Sequence, residues 1–133
     1  MLQTNHSKGV LRYSPKSAGH KSSKWWVVLD CDPEIGTYYR HLFHIYFHKC
    51  QRLMRPAWKE HVTIVRDEEP SNKALWEAHS GDVLDFTYGA EIGTDGLYCW
   101  LSVECPKAVE IRRELGLPEQ PQIPFHLTIG NLK

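Results

Sequence analysis

Short apolar runs along the chain alternate with stretches whose apolar residues recur at helical spacing, and Pro, Gly and Asp punctuate them. KWWVVLDC at residues 24–31 is aromatic and β-branched, which predicts a buried strand that stops at Asp32-Pro33. Asp32 suits an N-cap, Pro33 the first helical position and Glu34 the first turn, so a helix is expected from there to about Cys50. On that helix Ile35, Tyr38, Tyr39, Leu42, Ile45 and Tyr46 share one arc, and His41, His44 and His48 fall opposite as a solvated polar face. RLMRPAW (52–58) reads as an edge or irregular strand, because Pro56 has no N–H for a ladder. HVTIVRD (61–67) alternates strictly and predicts a strand, and a short helix is expected over 72–79, closed by Gly81. Residues 82–92 and 97–105 predict a hairpin joined by GTDG. Pro106 opens a further helix that stops at Gly116, and FHLTIGNL (125–132) predicts the final strand. This order favours an α+β fold with largely antiparallel sheet. Residues 1–23 are polar and rich in Ser, Gly and Lys, and are expected to form a flexible or irregular N-terminal arm before one domain at 24–133.

The 133 residues suffice for one core, and 41% hydrophobic content with five Trp and six Tyr suits ordinary globular packing. Sixteen basic and sixteen acidic residues cancel, which argues against a general polyanion binder but leaves room for a small anionic ligand. No apolar run approaches the roughly 18 residues a bilayer span needs, so no membrane partner is expected. The cysteines at 31, 50, 99 and 105 contain no CxxC pair, which predicts reduced thiols in a cytoplasmic protein, the host cytoplasm if the source is viral.

Two segments carry the same polar pair inside an apolar run, HVTI at 61–64 and HLTI at 126–129. Strand side chains alternate faces, so Val62 and Ile64 point one way while His61 and Thr63 point the other. Leu127 and Ile129 oppose His126 and Thr128 in the same manner. Two such strands facing each other across a groove would bring two imidazoles and two hydroxyls together. One imidazole can take a proton from an attacking oxygen while the other gives one to a leaving oxygen, and the hydroxyls can donate to nonbridging phosphoryl oxygens. Phosphodiester cleavage uses these parts. The contrasting reading is that each histidine is a hydrogen-bonded strand residue without a chemical role.

HVTI and HLTI resemble the two signature motifs of the two-histidine (2H) phosphoesterases. That family includes LigT-like RNA ligases/phosphodiesterases, eukaryotic cyclic phosphodiesterases and phage enzymes that cleave cyclic oligonucleotide immune signals. The resemblance implies a two-lobed α+β fold of largely antiparallel sheets, with helices outside and a central cleft where the substrate phosphate sits. It carries catalytic roles onto His61, Thr63, His126 and Thr128, with no metal and no cofactor. The expected activity is metal-independent cleavage of a nucleotide phosphodiester. A cyclic di- or oligonucleotide signal is favoured, with an anti-defence role. Processing of RNA 2′,3′-cyclic phosphates or RNA ends is an alternative, and a non-catalytic nucleotide-binding sponge is another.

The remaining candidates are binding residues. Trp58 and Lys59 stand just before the first motif, where a cation and a stacking ring would suit a nucleotide, or where a surface loop would simply be anchored. Tyr98 and Trp100 share a strand face that could stack a base, and Tyr13 could reach a ligand from the N-terminal arm. Arg66 falls on the opposite alternation parity from Thr63 and reads as a strand-end surface charge.

Overall fold

The structure is a computed structural model and describes residues 4–15, 24–46, 53–56 and 59–131. Among these residues six strands and two α-helices occur in the order β1 (Thr4–Tyr13), β2 (Trp26–Asp30), α1 (Pro33–Tyr46), β3 (His61–Arg66), β4 (Val83–Thr94), β5 (Tyr98–Glu104), α2 (Pro106–Glu114) and β6 (His126–Asn131). Every strand pairing is antiparallel, and the sheet closes as a barrel in the order β1-β2-β3-β6-β5-β4. The α+β class with antiparallel sheet therefore holds.

Residues 4–13 depart from the expected arm. They form β1, which pairs with β2 on one side and β4 on the other and so closes the barrel. Gly9, Leu11 and Tyr13 face the core while Lys8, Val10 and Arg12 face away. The outward residues are what make this strand read as a polar tail. Residues 16–23 lie outside the described residues, as does the expected end of α1 at Cys50.

Asp32 caps α1 through Oδ1, which accepts from the Glu34 amide at 3.0 Å. The buried stripe of α1 is Ile35, Gly36, Tyr39 and Phe43, narrower than the expected arc, and Tyr38, Ile45 and Tyr46 are exposed. The predicted helix at 72–79 is a single 3-10 turn, Lys73–Leu75, and Glu77 just beyond it has a φ of 70° that no α-helix accepts. The GTDG hairpin turn forms as expected, with Asp95 Oδ1 accepting from the amides of Leu97 and Tyr98 at 2.9 and 2.7 Å.

One face of the barrel sheet carries the core. Leu11, Val27, Leu29, Val62, Ile64, Leu101 and Leu127 are all at most 2% exposed. Ile35, Tyr39 and Phe43 of α1, Ala108 and Ile111 of α2, and Leu115 at the α2 C-cap join the same cluster. Each such side chain contributes about 1.5–3 kcal/mol on burial, so this face sets the register of every strand. Cys31, Cys99 and Cys105 are buried free thiols within it, and burial pushes Cys31 up to about 12.

Candidate active site

β3 and β6 lie side by side, joined through the pair Val62 and Leu127. Both residues are fully buried, so the flanking His61, Thr63, His126 and Thr128 all stand on the opposite face, each partly accessible. In an antiparallel pair this register sets His61 across from Thr128 and Thr63 across from His126. Directly opposed residues stand about 5 Å apart at Cβ and diagonal ones about 7–8 Å, so the two histidines are diagonal neighbours across the pair.

The two histidines are held alike. His61 Nδ1 lies 2.9 Å from the Lys59 carbonyl oxygen, and His126 Nδ1 lies 2.8 Å from the Pro124 carbonyl oxygen, in each case two residues earlier. A carbonyl can only accept, so each neutral ring carries its proton on Nδ1 and its lone pair on Nε2. Lys59 itself has a left-handed φ of 61°. Burial pulls His61 below the ordinary histidine range. The Lys59 carbonyl and Asp30 oppose that shift, and Arg66 and Arg12 add to it. His61 is accordingly neutral near pH 7.

A bulge follows the threonine in each motif. Thr63 pairs with Val28 and Val65 with Val27, leaving Ile64 as the extra residue. Thr128 pairs with Trp100 and Gly130 with Cys99, leaving Ile129 extra. Each bulge turns two consecutive residues to the core and reverses the parity beyond it. Arg66 therefore stands on the same face as Thr63, contrary to the simple alternation, and Asn131 holds the matching place after Thr128. The signal was the apolar doublet after each threonine, Ile64-Val65 and Ile129-Gly130, which interrupts the period of two.

Arg66 stacks on Trp26, its guanidinium carbon 5.1 Å from the ring centroid. With Thr63, His126 and residues 121–123 it lines a cavity of ≈ 100 Å³. A second arginine, Arg12, makes a bidentate pair with Asp30 at 2.8 and 3.0 Å, and Asp30 stands directly across from His61. Neither Arg66 nor this pair was selected from the sequence.

The other sequence candidates separate. Trp100 lies across from Thr128, with its ring centroid 6.2 Å from that of His126, and Tyr98 lies across from Asn131 on the same face, 48% exposed. Gly93 gives the indole its place, since a Cβ there would lie 2.7 Å from Trp100 Nε1. Lys59 contributes its carbonyl, and its side chain is exposed. Tyr13 is corrected: it is 8% exposed in the core, edge-on to Trp76 at 5.1 Å, because its parity on β1 matches Leu11. Trp58 lies outside the described residues, as does His48. Among the described residues no three or more His, Cys, Asp or Glu side chains gather as a metal site would need, and no helix is long and apolar enough to cross a membrane.

Set against protein-family models, curated proteins and solved structures, the chain matches none of them.

Proposed function

We propose that this protein is a phosphodiesterase of the 2H type that cleaves a nucleotide phosphodiester by paired histidine acid-base chemistry without a metal. The observation that carries the reading is the matched pair of His-x-Thr strands. Both Nδ1 atoms are tied to the carbonyl two residues back, and both threonines stand across from the other strand's histidine. A histidine retained only for strand packing has no need of a twin in the same tautomer on the neighbouring strand. The order β2-α1-β3 followed by β5-α2-β6 supports two related halves meeting at the site, the arrangement of a two-lobed 2H cleft.

In this reading His61, already neutral, accepts at Nε2 the proton of the attacking hydroxyl. His126, protonated at Nε2, gives its proton to the departing oxygen. Thr63 and Thr128 donate to the nonbridging oxygens, and Arg66 balances the charge that develops there. For a 3′–5′ ribose linkage the 2′-hydroxyl attacks phosphorus, the bond to the 5′-oxygen breaks, and a 2′,3′-cyclic phosphate results. The favoured substrate is a cyclic di- or oligonucleotide signal, because Trp100 and Tyr98 flank the histidines on the same face and offer surfaces for bases.

The test is incubation with a panel of cyclic dinucleotides beside an RNA ending in a 2′,3′-cyclic phosphate, in excess chelator, with products read by mass. Turnover of a cyclic dinucleotide, reduced at least about a hundredfold by His61→Ala and by His126→Ala, is expected. Turnover of the RNA end alone moves the protein to RNA processing. Ligand bound but recovered intact makes it a sponge, and activity abolished by chelator and restored by a divalent ion makes it a metal enzyme.

A further inference from the structure

A bulge leaves a ladder carbonyl without its usual strand partner, and a buried carbonyl needs one. Both motif bulges find a donor in an arginine side chain. Arg112 of α2, fully buried, donates from Nη1 to the Ile64 carbonyl oxygen at 2.9 Å. Arg40 of α1 donates from Nη1 to the Ile129 carbonyl oxygen at 2.9 Å. Each arginine is fixed in turn by a glutamate. Arg112 grips Glu68 through two bonds of 2.8 and 2.9 Å, and Arg40 Nη1 reaches Glu60 Oε1 at 2.7 Å.

The two braces are crossed. α1 belongs to the half that contains β3, yet its arginine holds β6; α2 belongs to the half that contains β6, yet its arginine holds β3. The glutamates flank the first motif, since Glu60 directly precedes His61 and Glu68 follows Arg66 by two residues. Space for the Arg40 brace is built into the helix. A Cβ on Gly36 would run into Glu60 Oε1 and come within 2.7 Å of Arg40 Nη1.

We infer that Arg40 and Arg112 are positioning residues for the two His-x-Thr pairs, each holding the bulge of the opposite half. The register of the motif strands has one pair, Val62–Leu127, so their relative placement rests heavily on these crossed contacts. Arg112 sets Thr63 and Arg66 through Ile64, and Arg40 sets Thr128 and Asn131 through Ile129. The consequence for rate rests on the phosphodiesterase reading above; the bracing itself does not.

The experiment therefore has a substrate-free arm and a kinetic arm, both with Arg112→Lys and Arg40→Lys, which keep the charge beside each glutamate but lose the forked donor. In the free protein, the carbonyl carbon resonance of Ile64 should move in Arg112→Lys and that of Ile129 in Arg40→Lys, with the reciprocal resonances unmoved. In turnover, each variant should lower kcat about 10- to 100-fold with KM changed less than about 3-fold, as expected when reacting groups are misplaced by an ångström or less. Arg112→Lys should be non-additive with Thr63→Ala and additive with Thr128→Ala, and Arg40→Lys the reverse. Gly36→Ala, which crowds the brace but removes neither member, should reproduce the Arg40→Lys pattern. Carbonyl shifts that follow the crossed pattern while no nucleotide is turned over would uphold the bracing and remove the phosphodiesterase. Turnover with unmoved carbonyls, or coupling of each arginine to the motif of its own half, would overturn the inference.

Discussion

Arg112→Met strips a guanidinium out of a place that water does not reach. Arg112 is 0% exposed and makes four hydrogen bonds, to the Pro118 and Ile64 carbonyls and to both Glu68 oxygens. Methionine fills the hydrocarbon volume, so no large cavity opens, and the loss is polar. Breaking a buried ion pair by removing one partner costs about 3–5 kcal/mol. The Glu68 side chain keeps 29% of its surface, so water reaches it once the arginine has gone, and the low end, about 3 kcal/mol, applies. At about 2.1 cal/mol/K per residue, a chain of this length should lose about 10 °C in Tm. The pH dependence gives a second reading of the same contact. The hydrogen bond from Arg112 holds the Glu68 carboxyl below its ordinary value. A depressed carboxyl stabilises the fold above the unfolded value near 4.5, and that contribution fades as pH falls through the depressed one. The gap between the parent protein and Arg112→Met should therefore be widest at neutral pH and narrow below about pH 4.5. Urea unfolding at pH 7 and at intervals down to pH 3 measures it. A loss below about 1 kcal/mol at pH 7, or a gap constant down to pH 3, would refute the reasoning.

Further outcomes are expected at the site. Because burial lowers His61, and a base works only when neutral, the acid limb of kcat/KM should lie below the ordinary histidine value of about 6.5, with activity falling as pH drops through it; a limb at or above that value would remove His61 as the base. Arg66→Ala should cost about 10- to 100-fold in kcat/KM, the equivalent of a charge-assisted hydrogen bond, and lower Tm by no more than about 4 °C, because the packing lost is an exposed stack on Trp26. An unchanged rate would return Arg66 to the surface. Gly93→Ala drives a Cβ to 2.7 Å from Trp100 Nε1, so the indole must move and calorimetric affinity for a base-bearing nucleotide should fall. Equal affinity would take Trp100 out of ligand binding.

Period and punctuation are local properties, and they made much of this molecule legible. The alternation in HVTI and HLTI is a property of a few consecutive residues, so the side taken by His61, Thr63, His126 and Thr128 could be read without any partner strand. Asp32 at the head of α1 and Asp95 in the hairpin turn act on amides two or three residues away, and they appear where the sequence places them. Beyond that reach the reading failed for physical reasons. β1 has a barrel position because it pairs with β4 more than seventy residues on, and an outward face of Lys8, Val10 and Arg12 says nothing of that. Arg66 changes side because Ile64 has no partner on β2, a fact of two strands and not of one. Arg40 and Ile129 stand 89 positions apart, and Arg112 and Ile64 stand 48 apart. The chain alone determined which groups could share a proton transfer. Only the closure of the barrel decided that the two pairs lie side by side and which charged side chains hold them there, because strand pairing and desolvation arise between segments that the sequence keeps apart.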